Sequence, residues 1–271
     1  MGLKINTNVP ALNAARTLSR STASLNQTLE RLSSGLRINR AKDDAAGLAI
    51  AEGFQAVVRG SRVAQRNAQD GVSLVQTAEG ALSETTSILQ RVRELAVQAA
   101  NGTQTDTNRT ALNNEVQQLL AQVDDIAFDT EFNGLNVLSG ASTITLQSGA
   151  QQGQTLRITT NGANTANLGV NKVKVDTVKV AVGAISTIDA ALQSVSTTRA
   201  NYGAVQNRLE FTINTLAIQE ENSAAAESAI RDADIARETI NLTRTQILVS
   251  AGTSVLAQAN VVPQTALSLL G

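Results

Sequence analysis

Two long stretches of this chain alternate steps of three and four between core-type residues without a break. Val75, Ala78, Leu82, Thr85, Leu89, Val92, Ala96 and Ala99 form one; Ile185, Ile188, Leu192, Val195, Arg199, Tyr202, Gln206, Leu209, Ile213, Leu216 and Glu220 form the other. Only an α-helix gathers such positions onto one stripe, and a stripe of this length requires a second helix to cover it. Leu74, Ala81, Ile88 and Leu95 recur every seven residues beside the first seam, which predicts a helix covered on two sides. The polar members Arg199, Gln206 and Glu220 predict a seam that fixes register as well as adhesion.

The two ends of the chain carry the same grammar. Thr245 to Gly271 contains no charged residue, yet its Gln, Asn, Ser and Thr content is unlike that of a membrane span. Ile247, Ala251, Ser254, Gln258 and Val261 step by fours and threes, as do Leu12, Ala15, Leu18, Thr22, Leu25, Leu29 and Leu32 apart from one early step. An isolated helix of this kind is marginal in water, because nucleation is costly and its stripe is uncovered. The expectation is that the two ends pair and offer a self-assembly seam. Its residues are Leu18, Leu25, Leu29 and Leu32 from the first arm and Ile240, Ile247, Ala251, Val255 and Val261 from the last.

Local signals divide the chain further. The first helix is expected to start near Asn8, with Pro10 in its first turn, and to end at Ser34 before Gly35. Asp43 or Asp44 is placed to cap a second helix, which Asn101-Gly102 ends. A third begins about Asp106, with Leu112, Val116, Leu119, Val123 and Ile126 as its stripe. From Phe128 to Val182 the pattern changes: Asn133-Gly134 is a two-residue hairpin turn, and Ser142–Gln147 with Thr155–Thr160 reads as a second hairpin. The run VNKVKVDTVKVAV alternates with period two and is expected to be a short strand or an extended linker. The later helical pattern then runs uninterrupted through SAAAESAIRDADIARETI into the tail. The fold class is mainly α: a long antiparallel helical bundle or coiled coil built from both chain ends, with a small β-hairpin region near 130–182.

Composition narrows function. The 271 residues include no Cys, no His and no Trp, one Tyr and four Phe. Thiolate and imidazole nucleophiles, His-containing triads and Cys/His zinc sites are excluded by absence. The acid doublets Asp43-Asp44 and Asp124-Asp125 point about 100° apart on a helix, so neither makes a convergent site. No catalytic, metal or cofactor site is expected. Net charge is −1, against general phosphate neutralisation and so against nucleic-acid binding. No run approaches the roughly 20 apolar residues of a membrane span, and the N-terminus has no Sec-type h-region. Function is expected in association.

Several connectors resemble those of bacterial flagellin: LSSGLRINRAKDDAAGLAIAE (32–52), DGVSLVQTAEGAL (70–82), LQRVRELAVQAANGT (89–103), FNGLNVL (132–138), YGAVQNRLEFTINTL (202–216), ESAIRDADIARET (227–239) and the ending QTALSLLG. The resemblance covers essentially the whole chain in order. It implies an inner-tube module of residues 1–44 paired with 228–271, and an outer-tube core module of residues 45–227. Because FNGLNVLSG passes almost directly into ITLQSGAQQGQTLRITT, the outer variable domains of larger flagellins are absent. The resemblance also implies a homopolymeric extracellular filament for swimming motility, exported by the flagellar type III pathway without a cleaved signal. Implied partners are further copies of the chain, hook-associated junction and cap proteins, an export chaperone and a host flagellin-sensing Toll-like receptor. Gln90, Arg91, Leu95 and Glu115 match the receptor-recognition segment; Leu267, Leu269 and Leu270 match tail positions used by a chaperone or a cytosolic immune sensor. A hook–filament junction protein or a minor flagellin-like protein is the alternative the resemblance leaves open.

Overall fold

The computed structural model describes residues 7–268, with side chains described as far as Val261. Five helices and two short hairpins follow in order: α1 (Val9–Ser34), α2 (Ala45–Ala100), α3 (Asp106–Asp129), β1 (Glu131–Phe132), β2 (Leu135–Asn136), β3 (Ser142–Gln147), β4 (Thr155–Thr160), α4 (Val178–Arg231) and α5 (Ile235–Ser268). The chain divides into two compact units, Met1–Ala56 with Asn222–Gly271, and Val57–Glu221.

Helix ends follow their local chemistry. Asn8 caps α1 by accepting a hydrogen bond from the Ala11 amide at 3.1 Å, and Gly35 closes it in the left-handed region (φ 72°). The two adjacent acids take different tasks. Asp44 caps α2 through the Gly47 amide at 2.8 Å, whereas Asp43 accepts from the Asn39 and Arg40 amides and holds the turn before it. Those amide hydrogen bonds, Arg40 foremost, keep the Asp43 carboxyl below the usual carboxylate range. Thr105 caps α3.

In the Val57–Glu221 unit, the Val75–Ala99 seam of α2 is almost wholly withdrawn from solvent and packs with Ile188, Val195, Tyr202 and Leu209 of α4 and Val116 and Leu120 of α3. All three polar members of the α4 seam find cross-helix partners. Arg199 pairs with Glu79 at 3.6 Å, Gln206 donates to Glu79 at 3.1 Å, and Glu220 accepts from Arg62 at 2.7 Å and Gln65 at 3.2 Å. Charges spaced this way penalise any slip of one helix past the other.

Both predicted hairpins form. Asn133 and Gly134 have φ of 51° and 74°, the positive pair that a two-residue primed turn needs. β3 and β4 pair antiparallel, with Ile144 opposite Ile158 and Leu146 opposite Leu156. The larger hairpin rests on α2 where two glycines, eleven residues and about three turns apart, leave its surface flat. A β-carbon on Gly60 would stand 2.8 Å from that of Ala150, and one on Gly71 would collide with Leu146.

Three expectations need correction. Of the two readings of VNKVKVDTVKVAV, the strand does not form: residues 170–177 are a linker and the remaining residues open α4 at Val178. Val173 and Val175 do alternate inward as a strand's would, but their backbone is held by α3 side chains: Gln117 donates to the Val173 carbonyl at 2.8 Å and Asn113 accepts from the Val175 amide at 3.0 Å. With no partner strand, period two gives way to helix once Thr177 caps the turn. Second, the helix into the tail is interrupted between Arg231 and Ile235. There Leu36 and Asp232 form a β-bridge, and Asp234 caps α5 through the Ala236 amide at 3.0 Å. Third, an 18-residue window of α4 reaches a mean hydropathy of 1.3, long and apolar enough for a membrane span by length and composition alone. Along that helix, however, Ala181, Ala184, Ile188, Ala191 and Val195 are packed into the core.

Candidate self-association surface

α1 and α5 pack against each other as an antiparallel pair. Their partners run in opposite order: Asn8 Nδ2 donates to the Ala259 carbonyl at 2.8 Å, Leu18 faces Gly252, and Arg31 Nη1 meets Glu238 Oε1 at 3.3 Å. The stripe withdrawn from solvent comprises Ala11, Ala14, Leu18, Ser21, Leu25 and Thr28 on α1, and Glu238, Leu242, Thr245, Val249, Gly252, Leu256 and Ala259 on α5. Small side chains (Ala11, Ala14, Ser21 and Thr28 on α1; Thr245, Gly252 and Ala259 on α5) alternate with larger ones along it, so the helix backbones come close where they stand.

This corrects the expected pairing. Leu18, Leu25 and Leu32 are half-buried as expected, but Leu29 is 45% exposed. On α5 the intramolecular contact uses the opposite face from the one the hydropathy selected. Ile240, Ile247, Val255 and Val261 are 68%, 62%, 57% and 45% exposed, and Ala251 is exposed with them. The reason is steric: Thr245, Gly252 and Ala259 stand between Leu242, Val249 and Leu256 on the inner stripe and let α1 approach closely, whereas the face of Ile240, Ile247 and Val255 carries no glycine. Ile240, Thr243, Arg244, Ile247 and Leu248 line an open apolar groove on that outer face. Val9 and Leu12 of α1, 53% and 58% exposed, add to the apolar surface of this unit. A row of large aliphatic residues left in water is unusual for a chain that remains alone, and marks an interaction surface.

The receptor-type residues lie in the other unit. Arg91 is exposed and bonds Glu115 at 3.0 Å and Glu94 at 3.1 Å; these hydrogen bonds, Glu115 first, raise its guanidinium above its ordinary value. Gln90 is exposed beside it. Leu95 is only 1% exposed and belongs to the core, so its side chain is not presented to a partner. The period-seven stripe already placed it there. Leu267, Leu269 and Leu270 lie outside the residues whose side chains are described.

Sequence reasoning missed Arg109. It is buried at 8% exposure and its guanidinium donates to the carbonyls of Ala99 (3.0 Å), Asn101 (3.1 Å) and Gln104 (2.6 Å), closing the C-terminus of α2 and the turn into α3. An arginine one turn into a helix carries no sequence signal for this role. Asp124 was also missed as a clasp: it accepts from the Thr165 amide and hydroxyl at 2.7 and 2.8 Å and ties the loop after β4 to α3.

Residues 5–143 match the bacterial flagellin N-terminal helical region, and residues 185–270 match the bacterial flagellin C-terminal helical region. The chain is 47% identical to a flagellin of Halalkalibacterium halodurans, covering 98% of this chain and 99% of that protein. It is 44% identical to the flagellar filament 33 kDa core protein of Treponema phagedenis, with 98% and 99% covered. A putative flagellar hook-associated protein from Vibrio parahaemolyticus shares the fold at a TM-score of 0.58 and 13% identity, covering 70% of this chain and 100% of that one. Matched over nearly its full length on both sides, the chain belongs to the bacterial flagellin family, whose members are structural filament proteins and not enzymes.

Proposed function

We propose that this chain is a structural subunit that self-assembles into the extracellular filament of a bacterial flagellum and so serves swimming motility. The observation that carries the reading is the aliphatic row Ile240, Ile247, Val255 and Val261, exposed on the outer face of a helix whose inner face is already paired. A contact between that row and a different surface of the next copy is heterologous, and a heterologous contact that does not close propagates as a helix of subunits. An uncharged tail suits such a position, since a charge buried between copies would be costly. The test is seeded growth: purified chain lacking residues 255–271 should neither elongate filament fragments nor form filaments. Far-ultraviolet circular dichroism should still show the folded Val57–Glu221 unit. Normal elongation by the truncated chain would refute the reading. Growth on seeds also separates a filament subunit from a junction protein, which does not elongate.

Family membership supports the remaining parts of the proposal. The chain leaves the cell by the flagellar type III pathway with an export chaperone, and meets hook-associated junction and cap proteins at the filament ends. The exposed pair Arg91–Glu115, with Gln90, is the surface a host Toll-like receptor would read. Arg91→Asp places a negative charge beside Glu94 and Glu115 and should sharply reduce receptor signalling by the monomer; unchanged signalling removes this part. Leu267, Leu269 and Leu270 are proposed for chaperone or immune-sensor contact on family grounds alone.

A further inference from the structure

Two exposed surfaces of the Val57–Glu221 unit have complementary chemistry and no partner for their charges. On the last turn of α3, Asp125, Phe128 and Asp129 stand at i, i+3 and i+4, one face of the helix, and Glu131 follows at once on β1. Phe128 is 51% exposed, and none of these three acids enters an ion pair among the described residues. The result is an aromatic knob inside an acidic collar. The second surface is a groove of ≈ 380 Å³ between the loop after β4 and the first turns of α4. Lys172 and Lys174 rim it, and Val180, 44% exposed, and Ala184 line it. Lys179 is exposed one residue away, and none of these lysines is ion-paired among the described residues. Three of the chain's five lysines fall within these eight residues.

We propose that the acidic Phe128 knob of one copy docks in the lysine-rimmed groove of a second copy. The inference rests on the filament reading and names one of its contacts. Charge complementarity selects the occupant: the knob brings one ring and two flanking carboxylates, and the groove offers an apolar floor between two ammonium groups. Geometry forbids the contact within one copy. Val173 and Val175, on the groove segment, are bonded to Gln117 and Asn113, whereas Phe128 lies eleven residues beyond Gln117, about 16 Å further along α3. Because knob and groove are different surfaces, the contact is heterologous, the class that builds a helix of subunits wherever its rotation does not close into a ring.

The test measures the protein left unpolymerised at steady state on sonicated filament seeds, by sedimentation. Lys172→Glu with Lys174→Glu should raise this concentration about tenfold, and Asp125→Lys with Asp129→Lys by a similar factor, because each sets like charges face to face. All four changes in one chain restore the complementarity with its sign reversed and should recover most of the loss. The neutral variant Lys172→Gln with Lys174→Gln should fall between. Circular dichroism checks folding, which these exposed, unpaired side chains do not determine. Wild-type behaviour in either two-residue charge reversal, or a four-residue chain as defective as its parents, overturns the interface and leaves the filament reading standing. A defect confined to the lysine variant also overturns it, assigning the groove to some other acidic partner. A wild-type chain that fails to extend seeds overturns the filament reading itself, and this contact with it.

Discussion

Leu18 of α1 lies against Gly252 of α5 so closely that a β-carbon on the glycine would stand 3.2 Å from Leu18 Cδ1. At that point the terminal pair leaves no room for a branched side chain. Gly252→Val should push the helices apart at an overpacking cost of about 1–3 kcal/mol. The loosened arms should be cleaved faster than wild type in limited proteolysis, with the Val57–Glu221 unit still protected. Unchanged cleavage would show that the two helices do not depend on close approach there.

The glycines of α2 predict opposite signs for one substitution. Gly60→Ala sets a methyl group 2.8 Å from the β-carbon and 3.2 Å from the α-carbon of Ala150, which cannot rotate away, and should destabilise the Val57–Glu221 unit by about 1–3 kcal/mol, more than the roughly 1 kcal/mol of helix propensity that it gains. Gly80 meets nothing within 4 Å, so Gly80→Ala should stabilise by about 0.5–1 kcal/mol. Urea unfolding of the monomer reads both, and equal signs would contradict the docking of the hairpin loop on Gly60.

Arg109→Met removes the donor that serves the Ala99 carbonyl at the end of α2 and the Asn101 and Gln104 carbonyls of the turn after it, and should cost about 3 kcal/mol in urea unfolding. Arg109→Lys should recover only part of this, since a single ammonium cannot match the planar fork. A lysine variant as stable as wild type would show that charge alone matters.

Burial raises the phenol of Tyr202, the one tyrosine in a chain without tryptophan. The folded chain therefore keeps a proton that the unfolded chain gives up near pH ~10. The resulting stabilisation is complete below that pH and is lost as pH climbs from there towards the raised folded value. Tyrosinate absorbance should lag behind that of a model peptide and appear only as the helical signal falls. Titration at the ordinary value in folded protein would place Tyr202 in water.

Much of this architecture was legible because heptad seams report a physical period. Every residue of the Val75–Ala99 stripe except half-visible neighbours on its flanks lies in the core, and Arg199, Gln206 and Glu220 met charged or polar partners as their positions foretold. The terminal pairing was legible as an event but not as a face. Hydropathy ranks Ile247 above Gly252, whereas close helix packing ranks them the other way. The lysine-rich run misled for a related reason: alternation records which side chains point inward, and says nothing of whether a strand or α3's Asn113 and Gln117 holds the backbone. Arg109 and Asp124 act on backbone groups distant from their own turn, and such contacts exist only once the chain has folded.

The most direct measurement concerns the outer face of α5. Ile240→Asp with Ile247→Asp changes two side chains that are 68% and 62% exposed in the single copy, so the folded chain should be unaffected by circular dichroism. Burying either aspartate between copies would be costly, and two large apolar contacts are lost as well. Sedimentation and electron microscopy of seeded samples should find this variant entirely soluble and free of filaments at concentrations where the wild type polymerises. Filaments of normal length and yield would contradict the account.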